Sequence, residues 1–138
     1  MKKILVVDDD KHIRQLLTEE LEDEGYQVVT ASNGHEAISS VLRSEHPDLM
    51  IMDLRMPKMD GLDTIGNMLK LKIDVPVIIY TAYLSYKKNY LAMAADAYVM
   101  KSSDLTELKD KVHQLINAHD KDNEKSLHSY RLQANIKR

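Results

Sequence analysis

Five short apolar runs, each followed by a segment of helical spacing, constrain the fold of this chain more than any other feature. The runs are Ile4 to Val7, Val28 to Ala31, Leu49 to Met52, Val75 to Tyr80 and Ala97 to Met100. Their brevity and β-branched content predict strands buried on both faces. Between them, Ile13, Leu16, Leu17 and Leu21 form one apolar stripe, and Ala37, Ile38, Val41 and Leu42 another. Leu62, Ile65, Leu69 and Leu71 suggest a third helix, Tyr86, Tyr90, Leu91 and Ala94 a fourth, and Leu105, Leu108, Val112, Leu115 and Ile116 a fifth. Five strand-helix units predict an α/β fold with a doubly wound parallel sheet.

Signals at the helix ends agree with this phasing. Asn33 with Glu36, and Asp104 with Glu107, stand three apart, as a capping side chain and its reciprocal acid should. Gly25 sits where the first helix should stop. After about Ala118 the apolar periodicity fades, so residues 1–118 are expected to form one domain. Residues 119–138 are then expected to be a polar tail, flexible or a short helix. The 138 residues suffice to bury a core without disulfides, and with no cysteine there can be no disulfide, zinc-thiolate site or cysteine nucleophile. The run after Met1-Lys2-Lys3 is too short for a signal-peptide core or a membrane span, which predicts a soluble cytoplasmic protein. A net charge of −3, with both signs spread along the chain, argues against a dedicated nucleic-acid surface.

In an open parallel sheet, ligands gather beyond the carboxyl ends of the strands. Asp8, Asp9 and Asp10 follow the first strand, Asp53 ends the third, Thr81 the fourth and Lys101 the fifth. Residues distant in sequence should therefore meet at one rim. Asp10 is best read as a turn former or a helix cap, since an aspartate after a strand often serves only such a purpose. Clustered carboxylates are most easily neutralised by a hard divalent cation with oxygen ligands, and Mg²⁺ is the natural candidate. Transfer of a phosphoryl group to a carboxylate spreads negative charge over three oxygens, which Mg²⁺, Lys101 and Thr81 can meet. Asp53 is the best nucleophile, because it stands apart from the acidic triplet and precedes the loop Leu54 to Gly61. The six histidines lack ligand-like spacing and are read as surface residues.

With these residues assembled, the chain resembles, from Lys3 to about Ala118, the receiver domains of two-component response regulators. Ile4-Leu5-Val6-Val7-Asp8-Asp9-Asp10 is similar to the family's first strand and acidic pair, and Pro47 to Gly61 to its phosphoacceptor strand and loop. Val77-Ile78-Ile79-Tyr80-Thr81-Ala82 resembles the fourth strand, and Ala95-Asp96-Ala97-Tyr98-Val99-Met100-Lys101 the fifth. The resemblance implies a flavodoxin-like receiver fold with strand order 2-1-3-4-5. It implies that Asp9 binds Mg²⁺ directly, Asp8 through water, with Asp53 and the backbone carbonyl of Arg55 as further ligands. Asp53 would accept the phosphoryl group of a phosphohistidine on a histidine kinase or phosphotransfer protein. Thr81 and Lys101 would contact the phosphoryl oxygens, and Tyr98 would turn inward as Thr81 moves. Arg55 and Tyr83 would tune the lifetime of the aspartyl phosphate.

The output face implied by the resemblance is made by the fourth helix, fifth strand and fifth helix, with Lys87, Lys88, Tyr90, Asp96 and Tyr98 as candidate contacts for a downstream protein. That face leaves room for a homodimer. Neither a membrane nor direct nucleic-acid contact is expected, and the chain reads as a phosphoacceptor signalling domain rather than an enzyme. Two departures from the family stand out: Ser102 where a proline commonly follows the lysine, and Ala94-Ala95 where glycine is common. The competing reading is an aspartate-nucleophile phosphatase built on Asp8-Asp9-Asp10, but Lys11-His12-Ile13 lacks the usual threonine and no cap domain fits the length. A flavin or nucleotide carrier is disfavoured because three acids after the first strand repel phosphates.

Overall fold

The computed structural model describes residues 1–43, 46–56, 59–82 and 94–136, and of residues 123–136 the backbone alone. Its strands are β1 (Lys3–Val7), β2 (Gln27–Ala31), β3 (Leu49–Met52), β4 (Val77–Thr81) and β5 (Ala97–Met100). Its helices are α1 (Lys11–Asp23), α2 (Gly34–Arg43), α3 (Gly61–Lys70) and α4 (Thr106–Ile136). The strands form one sheet in the order β2-β1-β3-β4-β5 with every pair parallel, the topology expected. The helix expected at Tyr86 to Ala94 falls almost wholly outside the described residues, as do Tyr83, Lys87, Lys88 and Tyr90. The fifth expected helix is therefore α4 here.

Strand alternation divides the core between the two faces of the sheet. Leu5, Val7, Met50, Met52, Val77 and Ile79 point to one face and pack with Ala37 and Val41 of α2 and Ile65 and Met68 of α3. Ile4, Val6, Leu49, Ile51, Ile78, Tyr80 and Val99 point to the other, against Leu17 and Leu21 of α1 and Leu108, Val112 and Ile116 of α4. The central strands β1, β3 and β4 are buried almost throughout, and the edge strands β2 and β5 only in part. Two acids fix the amino ends of the strands: Asp48 Oδ2 accepts from the Lys3 N–H at 2.8 Å, and Asp96 Oδ2 from the Val77 N–H at 2.8 Å.

The helices begin and end as their residues dictate. Asp10 caps α1, its Oδ1 accepting from the His12 N–H at 2.8 Å. Asn33 Oδ1 accepts from the Glu36 N–H at 3.0 Å, while Glu36 reaches back to the Ser32 N–H at 2.8 Å, one residue earlier than the reciprocal cap expected. After α1, Gly25 takes φ +96°, the left-handed turn that glycine adopts without penalty. Asp104 Oδ1 accepts from the Thr106 N–H at 2.9 Å at the start of α4. That helix then runs to Ile136 without interruption. The stretch expected as a flexible tail or separate short helix is thus, from 119 to 136, a continuation of the last core helix. Among the described residues, no helix is long and apolar enough to cross a membrane.

Candidate functional site

The carboxyl rim of the sheet carries Asp8, Asp53 and Lys101 because the backbone ladder continues one residue past each strand end. The Asp8 N–H donates to the Ala31 carbonyl of β2 at 3.1 Å, the Asp53 N–H to the Val7 carbonyl of β1 at 3.1 Å, and the Lys101 N–H to the Thr81 carbonyl of β4 at 2.8 Å. Three side chains from distant parts of the chain are so held over the middle of the sheet. One oxygen from each of Asp8, Asp9 and Asp53 can be chosen such that all lie within 4.8 Å of one another. Asp8 and Asp53 are buried at 2% and 7% exposure, whereas Asp9 faces solvent.

Lys101 spans the two buried acids, its Nζ donating to Asp8 Oδ2 and to Asp53 Oδ2, each at 2.8 Å. Burial pushes the Asp8 carboxyl above its usual range; the hydrogen bond from Lys101 works the other way, and the neighbouring Asp53 charge adds to the rise. Burial by itself would lower the Lys101 ammonium, but its hydrogen bonds to Asp53 and Asp8 outweigh that and leave it above its usual value. Among the described residues, three clustered acids with one ammonium bridging two of them leave the pocket short of positive charge. Oxygen donors that sit close together, one of them open to water, suit a hard divalent cation that retains some of its own hydration.

Thr81 is 1% exposed at the end of β4. On β5, Tyr98 pairs in register with Ile79, and Met100 with Thr81, so Tyr98 and Thr81 lie on the same face of the sheet. The Tyr98 hydroxyl is buried, with no hydrogen-bond partner among the described residues. An unmade hydrogen bond in such a place costs about 1–3 kcal/mol. Arg55 is exposed, and its N–H donates to Asp53 Oδ1 at 3.3 Å. Asp10 serves as the α1 cap, which removes one member of the acidic pair that a phosphatase of the competing kind would need after its first strand.

Two residues at this rim escape a reading of motifs alone. Gly61 begins α3 so close to the end of β3 that a Cβ there would lie 2.5 Å from the Asp53 carbonyl oxygen and 2.7 Å from the Leu54 Cα. Arg14 reaches back from α1 to the Asp8 carbonyl, its Nη1 donating at 2.7 Å. A glycine that closes the loop after Asp53 is a readable hint of close backbone approach. An arginine among helix surface residues offers no such hint. At the departure from the family, the Lys101–Ser102 peptide is trans, since the described residues contain no cis peptide. The turn is tied down by the Asp104 N–H donating to Ser102 Oγ at 3.2 Å, and by the Tyr80 hydroxyl, 3.4 Å from the Ser102 carbonyl.

Residues 4–113 match the family profile described as response regulator receiver domain, and the chain belongs to that family. Among curated proteins, it is 38% identical over 122 residues to a probable transcriptional regulator, ycf27, of Porphyridium aerugineum, covering 87% of this chain and 50% of that one. It is 37% identical over 117 residues to sporulation initiation phosphotransferase F of Bacillus subtilis (strain 168), covering 83% of this chain and 94% of that one. The chain spans about half the length of the ycf27 regulators it matches. Among solved structures, it is similar to the response regulator TrrA of Thermotoga maritima in complex with Mg(2+)-BeF. The identity is 47% and the TM-score 0.79, over 83% of this chain and 99% of that one. A second structure holds TrrA in complex with the histidine kinase ThkA, with 47% identity, a TM-score of 0.76, and coverage of 83% and 98%.

Proposed function

We propose that the chain is a Mg²⁺-dependent phosphoacceptor, taking a phosphoryl group from a phosphohistidine of a histidine kinase or phosphotransfer protein onto Asp53. The observation that carries this reading is the Lys101 ammonium, 2.8 Å from both Asp8 and Asp53, two acids that gather with Asp9 within 4.8 Å of one another. Asp8, Asp9, Asp53 and the backbone carbonyl of Arg55 would hold the cation, with Asp8 acting through water. When bound, Mg²⁺ would neutralise charge on the phosphoryl oxygens and screen the donor from the acids. The Mg(2+)-BeF group of the TrrA structure supports this use of the site.

In the transfer, a bond forms between an Asp53 carboxylate oxygen and phosphorus as the bond from phosphorus to the donor imidazole nitrogen breaks. Lys101 exchanges its ion pair with Asp53 for one with a phosphoryl oxygen. Thr81 donates its hydroxyl to another oxygen, and Tyr98 turns inward behind it. A coupling of about 1–3 kcal/mol between phosphate and Tyr98 position suffices for such a switch. The signal leaves through β5, α4 and the segment before β5, a face that would receive a downstream protein or a second copy. The chain works as a signalling domain whose catalytic groups serve its own modification; residues 1–118 constitute that domain, and 119–136 extend its last helix.

Fluorine NMR with beryllium fluoride tests this directly. Resonances of the bound fluoride should appear with Mg²⁺, vanish without it, and be absent from Asp53→Asn in either condition. Bound signals that persist in Asp53→Asn would place the acceptor elsewhere.

A further inference from the structure

Arg14 belongs to none of the groups that would touch a cation or a phosphoryl oxygen, yet it closes a circuit of hydrogen bonds around the acidic turn. Its Nη1 donates to the Asp8 carbonyl at 2.7 Å. The Asp10 N–H donates to Asp8 Oδ1 at 2.9 Å, and the Arg14 N–H donates to the Asp10 carbonyl at 3.1 Å. Asp10 is itself fixed as the α1 cap by the His12 N–H. The turn from β1 into α1 is therefore held at Asp8, at Asp10 and in the first turn of the helix. With Oδ1 bound by Asp10 and Oδ2 by Lys101, both oxygens of the Asp8 carboxylate have fixed positions.

We propose that Arg14 is a positioning residue for the divalent cation, locking the β1–α1 turn so that Asp8 and Asp9 are presented at one spacing. This rests on the cation reading of the site given above. Two effects of the side chain oppose each other. A guanidinium near a cation site repels the cation, so charge alone makes Arg14 unfavourable to binding. A turn with three tethers spends less free energy on ordering its ligands when the cation arrives, which makes Arg14 favourable. Arg14 lies along a groove with Lys11, Gln15, Thr18, Glu19 and Thr30 that is open to water. Water there screens the charge over a distance, while the 2.7 Å hydrogen bond acts at contact, so the tether prevails.

The test is direct cation affinity, read from the free Mn²⁺ signal in electron paramagnetic resonance and from displacement of Mn²⁺ by Mg²⁺. Arg14→Gln removes the charge and shortens the reach; Arg14→Lys keeps the charge and one donor. Arg14→Gln should bind both cations weaker by about 10-fold with a thermal midpoint close to wild type, and Arg14→Lys should fall between. Affinity in Arg14→Gln equal to wild type, or tighter as charge alone demands, would overturn the proposal. Should Arg14→Gln not fold, Arg14→Lys decides by the same signal, a weaker site supporting the tether and an unchanged one sinking it. A wild-type chain that fails to bind Mn²⁺ would instead remove the cation reading, and this inference with it.

Discussion

Lys101 sets the terms at the scale of single residues, because its ammonium lies within hydrogen-bonding distance of both buried carboxylates, alone among the described residues. Removing one partner of a buried pair strands the other charge, so the pocket depends on Lys101 far more than a surface ion pair would. Gly61 is the second sensitive point, since the atoms its missing Cβ would strike are backbone and cannot swing aside. Gly61→Ala should therefore cost about 1–3 kcal/mol in urea unfolding, and should slow modification of Asp53 by displacing its loop. A third residue reports through pH. The Thr106 hydroxyl and N–H, both donating to Asp104, hold that exposed carboxyl below its ordinary value of 3.8. A lowered value in the folded state stabilises above the ordinary carboxylate range and is lost as pH falls through the folded value. Asp104→Ala should thus lower the thermal midpoint at neutral pH, and the difference from wild type should shrink as the pH drops below 3.8 toward the depressed value.

Among the elements, the ends of α1 and α3 are built on one plan with different residues. After α1, the Gly25 N–H donates to the Glu22 carbonyl at 2.9 Å and the Tyr26 N–H to the Leu21 carbonyl at 3.1 Å. After α3, the Lys72 N–H donates to the Leu69 carbonyl at 3.2 Å and the Ile73 N–H to the Met68 carbonyl at 3.0 Å. Lys72, however, takes φ 56°, where its Cβ is strained and glycine would not be. Lys72→Gly should raise stability by about 0.5–1 kcal/mol in urea titration, the relief of strain exceeding the extra freedom given to the unfolded chain. Sequence periodicity located these helices but did not settle which way they face. Leu42, Leu69 and Leu71 are at least half exposed and Leu16 is 39% exposed, while Thr64 and Met68 fill the core side of α3. Each residue advances about 100° round a helix, so an apolar neighbour of a core residue is easily counted in the buried stripe. The length of α4 was hidden for a related reason. Fading apolar spacing after Ala118 marks a change in side-chain composition, whereas glycine or proline would have marked the helix end, and residues 119–136 contain neither.

For the whole molecule, parallel strands bring their carboxyl ends to one rim, which is why the acids, Thr81 and Lys101 could be grouped from sequence before any coordinates. Strand ends are short-range signals and the sheet order converts them into proximity. The contribution of Arg14 was not legible in that way, because it depends on how a long side chain folds back across the turn from β1 into α1. Thr81 and Tyr98 share a face at the β4–β5 edge, so the switch proposed for them would carry an event at the rim to the surface by one side-chain exchange. The central claim remains covalent chemistry at one carboxylate. Incubation with a small acyl phosphate, with and without Mg²⁺, followed by intact-mass measurement and peptide mapping, tests it most directly. The account predicts a single phosphoryl group on Asp53 that needs Mg²⁺ and is absent from Asp53→Ala. A folded protein that stays unmodified with Mg²⁺ and excess donor, or that carries the group on another residue, would contradict it.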